Sequence, residues 1–444
     1  MRVALLVVAV GALGAAASSA RAQGEFDRQL EPGDQREQLG TAPAGATPRS
    51  AVVPDGAAPP GQRDPRFVPE PGVDLGQFPE PGPQAGEAPP GEPGGDVELK
   101  LQLYGRVGGG HDTNVFRADR ARRTDAFVHA LASAELLVTL PAHGTEVFLE
   151  VGGETLHYAY RHKANEHYGS AFFELFHPVA SWLDAGLQNA FEASRQNLLD
   201  DNGDLFPRGR FGSLDEEVRL YAIARPHADL ALEVGAGYRI KDYEENRGVD
   251  SLDYDELRLD ASAAWALARS PRSRLKLKYR YRRRDYREFR ARERDGAVVA
   301  ESPTLDLDRH QLNLTWFQDL APGGTRLRLV VGAGVTYNRD LHRNDRSYRE
   351  ASASVGVEWW VVAERTRLEV SARAIGRDFL VRGVASQGGR LRHRLIDVTV
   401  GGAQRLFDGP LWLFVEAAST RWESGDRFEG YERFTLEAGL EARW

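Results

Sequence analysis

Residues 273–287 read SRLKLKYRYRRRDYR, a stretch in which apolar and basic side chains alternate. A period of two is that of a β-strand, because successive side chains of an extended chain point to opposite faces. One face carries Leu275, Leu277, Tyr279 and Tyr281, and the other carries the basic residues between them. This division is typical of a strand with lipid outside and water inside. A soluble β-sandwich alternates in the same way, so the stretch predicts a strand without deciding its solvent.

The same period recurs from residue 97 to the C-terminus. In the eleventh of these segments we expect Leu327, Leu329 and Val331 to face lipid and Val330 to face the lumen. The segments are long enough for tilted strands to cross a bilayer. The sixteen predicted strands are 97–107, 125–139, 145–158, 166–177, 181–192, 215–224, 228–242, 254–267, 273–287, 305–317, 325–339, 348–361, 365–379, 392–406, 411–422 and 430–444.

The connections between these segments alternate in length. Short turns, such as those near residues 141 and 269, are followed by longer polar loops, such as 193–214 and 288–304. Short periplasmic turns and long external loops are typical of bacterial outer-membrane barrels. The eight prolines after residue 95 avoid strand interiors, where a residue without an N–H is poorly tolerated. The turns hold Pro141, Pro178, Pro226, Pro271, Pro322 and Pro410, and the loops hold Pro207 and Pro303.

Aromatic residues separate by strand end. Seven of the eight tryptophans lie near a short turn or the C-terminus, and most tyrosines lie near a long loop. We interpret these as two aromatic bands at the two membrane interfaces, with Tyr221 unexplained. The loop-end tyrosines are Tyr158, Tyr160, Tyr168, Tyr243, Tyr254, Tyr281, Tyr286, Tyr337, Tyr348 and Tyr431. We therefore predict an all-β fold, an antiparallel transmembrane β-barrel of about sixteen strands, preceded by a disordered Pro/Gly-rich segment.

The N-terminal quarter of the chain carries an export signal and a linker. Arg2, the apolar residues 3–17 and the cleavage pattern Ala20-Arg21-Ala22 predict a signal peptide over 1–22. Residues 23–95 contain fifteen of the 23 prolines and too few apolar residues to offset the entropy of ordering. We predict a disordered periplasmic linker there, acting as a spacer or as a docking tail. The barrel then spans 96–444, in the outer membrane of a Gram-negative bacterium.

Composition excludes several classes of protein. The 444 residues include no cysteine, which excludes disulfide scaffolds, thiolate metal sites and cysteine nucleophiles. Beyond the N-terminus no uncharged apolar run reaches the roughly 18 residues of a transmembrane helix. The formal net charge of −8 argues against a nucleic-acid partner.

Residues 108–116, GGGHDTNVF, resemble the G-x-D-[ST]-N-V signature that follows the first strand in a group of proteobacterial outer-membrane barrels. That group includes barrels of exopolysaccharide and capsule export systems and, more distantly, the barrel of surface-lipoprotein assembly modifiers. The resemblance implies an export-associated barrel. Asp112 and Asn114 are favoured as an Asx-type turn, with cation ligation as the alternative. The last strand, from Phe434 to Trp444, resembles the signal read by barrel-assembly machinery, which is therefore an expected partner beside outer-membrane lipid.

The densest charges fall on strands eight to eleven. On one face we expect a lumen charge wall, whose functional interpretation is attraction of anionic solute or polymer and whose structural interpretation is a ladder of ion pairs. The wall comprises Lys276, Lys278, Arg280, Arg282, Arg284, Glu256, Arg258, Asp260, Arg326 and Arg328.

No sequence motif of a known catalytic or nucleotide-binding site is present, so we expect no enzyme, cofactor or metal. His129 and Ser133 share one face of strand two, where polar lumen residues are favoured over a hydrolase pair. Sixteen strands leave an aqueous channel. The sequence therefore predicts an outer-membrane channel associated with export of an acidic exopolysaccharide, with the polysaccharide and a periplasmic component acting through 23–95 as partners. The alternatives are a general diffusion porin for small anions, a barrel-embedded enzyme, and an adhesion or structural barrel.

Overall fold

The computed structural model describes residues 97–115, 123–140, 144–196, 211–243, 253–269, 272–291, 302–320, 325–362, 365–383, 390–425 and 430–444. The predicted signal peptide and the linker over 23–95 lie outside the described residues, so both stay predictions.

Sixteen β-strands account for nearly all of the described chain. In chain order, β1 to β16 are Glu98–Asp112, Asp125–Leu140, Thr145–Tyr158, Glu166–Ala180, Leu183–Gln196, Phe211–His227, Leu230–Tyr243, Tyr254–Arg269, Arg272–Arg290, Thr304–Leu320, Arg326–Asp340, Tyr348–Val362, Thr366–Gly383, Arg390–Arg405, Leu411–Ser424 and Tyr431–Arg443. A single 3₁₀ turn, His162–Ala164, lies between β3 and β4 in the described part of the chain. No helix among the described residues is long and apolar enough to cross a membrane.

The strands form one closed antiparallel barrel. Each strand pairs with the next along the chain, and β1 pairs with β16 in a register that sets Val107 opposite Leu440. Closure leaves no free sheet edge along the paired lengths, as a sheet in lipid requires. The prediction of about sixteen strands is confirmed.

Two local expectations were wrong. Gly108–Gly110 belong to β1 rather than to a turn after it. The reason is that their backbones pair with strands on both sides, as Gly108 does with Gly439 of β16 and His129 of β2. Pro178 and Pro226 lie in the last residues of β4 and β6 rather than in the turns beyond them.

The outer face of the barrel is apolar. Leu277 is 45% exposed and Val331 39% exposed, whereas their neighbours Lys278 and Val330 are buried or half-buried. The same alternation continues around the wall, with Leu99, Val128, Leu220, Val234, Leu259, Leu314, Val355, Val370, Val400, Leu413 and Leu436 all exposed. A belt of exposed aliphatic side chains on a closed barrel is stable in lipid and unfavourable in water.

The tyrosine band corrects an expectation. Six of the ten loop-end tyrosines are buried, not exposed to lipid: Tyr158, Tyr168, Tyr254, Tyr286, Tyr348 and Tyr431. They pack against arginines, as when the Arg284 guanidinium lies 3.9 Å from the Tyr254 ring centroid and that of Arg377 lies 4.0 Å from Tyr348. Such stacks gain cation–π energy in a desolvated setting. An outward aromatic band remains at the short-turn end, where Trp182, Trp265 and Trp444 are exposed.

Tyr221 also has a structural role. Its ring covers Gly186, where a Cβ would lie 2.5 Å from the ring carbon Cε1, and its hydroxyl donates a 2.5 Å hydrogen bond to Glu174. A tyrosine that covers a glycine on the neighbouring strand fills the space that the missing side chain leaves. Tyr221 is therefore a lumen residue and not a misplaced interfacial one.

Candidate functional site in the barrel lumen

The strand β9 places five of the predicted basic residues on the inner face, whereas Arg283 and Arg287 are exposed on the outer face. Lys278, Arg280 and Arg284 are buried inside the barrel, with Lys276 and Arg282 on the same face. Their neighbours on β8, namely Glu256, Arg258 and Asp260, are also buried and inward. The structure therefore brings eight of the ten residues of the lumen charge wall together.

Many of these charges are paired in a ladder that reaches beyond adjacent strands. Arg284 donates to Glu256 over 2.8 Å, and Arg258 lies between Glu256, at 3.3 Å, and Glu217, at 2.6 Å. Arg258 and Glu217 are on β8 and β6, so their contact passes across β7. The acids of β6 were not in the predicted wall, although the alternation of residues 215–221 would have placed them in the lumen.

The pairing leaves a basic excess. Ten basic and five acidic side chains point inward along the regularly paired parts of β6–β9, which we call the basic quadrant. The bases are Arg219, Arg239, Lys241, Arg258, Arg274, Lys276, Lys278, Arg280, Arg282 and Arg284; the acids are Asp215, Glu217, Glu233, Glu256 and Asp260. Twice as many cations as acids makes this side of the lumen positive at neutral pH.

Two predicted members of the wall lie elsewhere. Arg328 donates to Asp319 over 3.0 Å and lies 3.8 Å from Glu358, near the short-turn end. Arg326 is exposed at the same end of β11. The inner face of β10 separates both from β9 and is largely uncharged, so Arg326 and Arg328 do not continue the wall.

The neighbouring side of the lumen has the opposite charge. Along the lengths over which β2–β5 pair with one another, eight carboxylates point inward, and we call this wall the acidic quadrant: Glu135, Glu146, Glu150, Glu154, Glu166, Glu174, Asp184 and Glu192. In the described part of these strands His129 is the one inward side chain that can be basic. The acidic quadrant was not predicted from the sequence, because its acids are interleaved with apolar residues on both faces of these strands.

The two ends of the lumen differ in exposure. Charged inner residues near the outer loops, such as Arg284, Arg377 and Glu256, are buried. Near the short turns Asp184, Arg367 and Glu441 are buried as well, but Glu369, Glu416 and Glu358 keep 27–33% of their side-chain surface exposed, and most other inner residues of the described chain at that end are half-buried. The short-turn half of the lumen is therefore the more accessible to water.

The motif residues join the barrel seam. Asp112 on β1 accepts hydrogen bonds from Arg433 on β16 at 2.6 Å, from Tyr158 on β3 at 2.9 Å and from the Asn114 backbone N–H at 2.8 Å. The Asn114 side chain donates to the Glu432 carbonyl over 2.9 Å. The predicted Asx-type turn is present, and both carboxylate oxygens of Asp112 are occupied by donors.

The hydrolase and metal alternatives find no support in the geometry. Both ring nitrogens of His129 lie 3.0 Å from carboxylates, of Glu154 and of Glu437, so neither is directed at Ser133. The described residues contain no cluster of three or more His, Asp or Glu side chains able to hold a metal ion.

The last strand presents its apolar residues outward. Phe434 and Trp444 are exposed on the outer face, and the Trp444 backbone exchanges hydrogen bonds of 2.9 and 3.0 Å with Leu103 at the seam. Their role as an assembly signal stays a prediction.

Comparisons with known proteins find similarity only to solved structures, and at low sequence identity. No protein-family model and no curated protein sequence matches the chain. Among solved structures, CdiB from Acinetobacter baumannii is 9% identical with a TM-score of 0.46, over 79% of this chain and 66% of that chain, a little under two thirds of its length. OprB from Pseudomonas putida is 11% identical with a TM-score of 0.43, over 78% and 94%. The anion-selective porin from Comamonas acidovorans is 10% identical with a TM-score of 0.40, over 79% and 100%. The closed pairing of sixteen strands and their apolar outer face make the protein a transmembrane β-barrel of the kind that spans bacterial outer membranes.

Proposed function

We propose that the protein is an outer-membrane channel for anionic solutes that serves the export of an acidic exopolysaccharide. The observation that carries the proposal is the basic excess of the basic quadrant. A positive wall inside a low-dielectric barrel concentrates anions along its surface. An ion must bind strongly enough to enter the channel and weakly enough to leave it. The ladder of ion pairs neutralises part of the wall and so weakens its attraction for anions.

Two further observations support export over diffusion of small solutes alone. The more exposed half of the lumen lies at the short-turn end, which faces the periplasm in bacterial barrels and is where an exported polymer would enter. The sequence GGGHDTNVF also resembles the signature of export-associated barrels. In this proposal the linker over 23–95 meets a periplasmic export component, and the protein has no enzymatic activity.

The test is electrical. The full chain after residue 22 would be refolded and inserted into planar lipid bilayers with a tenfold gradient of KCl. We expect a stable conductance whose reversal potential reports preference for chloride over potassium. A polyuronate added on the short-turn side should block the current at lower concentration than the same polymer added on the loop side.

The outcomes separate the alternatives. Equal block from both sides would favour a general diffusion porin for small anions. An inserted barrel without conductance, or one that prefers potassium, would overturn the channel proposal. A barrel that adheres to cells or surfaces without conducting would instead support the adhesion alternative.

A further inference from the structure

Beside the basic quadrant, the inner wall holds a cluster of uncharged polar side chains. Directly paired residues of neighbouring antiparallel strands share a face about 5 Å apart. Across β9 to β12, one such row sets Lys278 opposite Asn313, Asn313 opposite Gly334, and Gly334 opposite Ser352. The next row toward the short turns sets Gly332 opposite Ser354. We call Asn313, Ser352 and Ser354, with the two glycines beneath them, the polar shelf.

The glycines let the polar groups converge. The Asn313 amide oxygen and the Ser352 hydroxyl both lie over Gly334, where a Cβ would be 2.8 Å from Ser352 Oγ. Ser354 Oγ lies over Gly332 in the same way, 2.6 Å from the position of a Cβ. Any larger residue at either glycine would displace these side chains. The glycines therefore bring an amide and two hydroxyls together on one surface.

The polar shelf is accessible and lies between cations. Ser354 is exposed, and Asn313 and Ser352 are half-buried, whereas the ladder residues of β8 are almost fully buried. Lys276 and Lys278 lie on the β9 side. Arg373, which is exposed on the inner face of β13, lies opposite Ser354 on the other side. A ligand on the shelf is thus within reach of positive charge from both sides.

The chemistry of these groups defines a ligand class. Amides and hydroxyls both donate and accept hydrogen bonds, which suits the hydroxyls of a sugar ring. Ammonium and guanidinium groups suit a carboxylate. A neutral sugar would use only the polar groups, and a simple anion would use only the cations. We propose that the polar shelf binds a uronic-acid unit of an anionic carbohydrate. Asn313, Ser352 and Ser354 form hydrogen bonds with its hydroxyls, and the flanking cations pair with its carboxylate.

This inference rests on the proposed function and deepens it. The proposed function needs only a positive wall, whereas the shelf adds recognition of the sugar itself. The two therefore predict different effects for variants that remove uncharged groups. Removing hydrogen bonds on the shelf should weaken carbohydrate binding without changing the preference for small anions.

The experiment measures block of the ion current by short oligosaccharides. Full-length protein in planar bilayers would receive tetragalacturonate, neutral maltotetraose or inorganic sulfate. In the wild type, tetragalacturonate should reach half-block at a concentration at least about tenfold below those of the other two. The double variant Asn313→Ala/Ser352→Ala should raise its half-blocking concentration about tenfold, the loss expected for two hydrogen bonds, with an unchanged reversal potential.

A matched control removes lumen hydroxyls away from the shelf. Ser170→Ala/Thr399→Ala changes two inward, half-buried residues of β4 and β14 and should leave the block unchanged. If the shelf double variant does not assemble, Ser354→Ala replaces it, because that exposed side chain contributes little to packing, and a threefold weaker block is then expected.

The inference is overturned if tetragalacturonate blocks the shelf variants as strongly as it blocks the Ser170→Ala/Thr399→Ala control. It is also overturned if the wild type conducts anions and tetragalacturonate blocks that current no better than sulfate does. In both cases the anion channel stands. Absence of conductance, or preference for potassium, is the separate failure of the proposed function.

Discussion

The basic and acidic quadrants are neighbouring quarters of one barrel wall that hold their charges differently. In the basic quadrant, buried cations pair with buried acids, as Arg258 does with Glu217 and Glu256. In the acidic quadrant some carboxylates have cationic partners, as Glu154 has His129 and Asp184 has Arg225, but Glu174 is held by neutral groups, the Gln188 amide at 2.8 Å and the Tyr221 hydroxyl at 2.5 Å. The chain's net charge of −8 conceals this segregation. The field inside the lumen is set by which strands carry the charges and not by their sum.

The largest expected effect is on stability, and it distinguishes a charge held by an ion pair from a charge held by neutral hydrogen-bond partners. Glu217→Gln removes the negative charge from beside the buried Arg258 guanidinium, which lies 2.6 Å from Glu217 Oε2. Arg258 then keeps only part of its compensation, because its other acid, Glu256, also accepts from Arg284, and we expect a loss of about 3 kcal/mol in the free energy of unfolding. A urea unfolding titration of the refolded barrel in detergent measures it.

Glu174→Gln is the matched change in the acidic quadrant. The Gln oxygen can still accept from the Gln188 amide and the Tyr221 hydroxyl, so the expected loss is about 1 kcal/mol or less. Equal losses for the two variants would show that the ladder does not stabilise the basic quadrant through charge pairing.

The next effect tests the inward and outward assignment on which both quadrants depend. Leu329 faces out and Val330 faces in on β11. Leu329 lies in the first third of β11, toward the short-turn interface, so Leu329→Arg should lower the free energy of unfolding by about 1–2 kcal/mol, less than the roughly 2–4 kcal/mol of an outward charge at the bilayer midplane. Val330→Arg should cost far less in the same refolding titration into lipid vesicles. A larger loss at Val330 would invert the facing of the strand.

Most of the fold could be predicted from the sequence, because the period of two, the turn lengths and the proline positions are local properties. The strand count and the facing of β9 follow from them. The ladder could not be predicted, because Arg258 and Glu217 are 41 residues apart and meet across β7 at Gly237, which pairs with Arg258 and has no side chain to block the contact. The tyrosines were misassigned for another reason: position along a strand indicates the membrane end but not the face, and the period of two already sets Tyr254 on the face of Glu256 and Arg258, where it packs against Arg284.

A smaller effect concerns conduction by the basic quadrant. Lys276→Gln/Lys278→Gln removes two positive charges from the lumen and should reduce the chloride-to-potassium permeability ratio by up to about tenfold. The matched variant Arg326→Gln/Arg328→Gln removes two charges near the short-turn end, where Asp319 and Glu358 lie close to Arg328. Its effect on the reversal potential should be clearly smaller. If both pairs shift the potential equally, the basic quadrant has no special part in selectivity.

The smallest effect comes from the acidic quadrant and has the opposite sign. Glu135 and Glu150 lie directly opposite each other on β2 and β3, so their like charges repel and both lie away from the basic excess. Glu135→Gln/Glu150→Gln should leave stability unchanged or slightly higher and should move the reversal potential further toward chloride. Because water and salt screen each charge within about 8 Å, the change in permeability ratio should stay below about threefold.

Combining these changes with Lys276→Gln/Lys278→Gln should return the potential partway toward the wild-type value, since the two sets act on one shared lumen. A combined variant no different from the lysine variant alone would show that the acidic quadrant lies outside the conducting path.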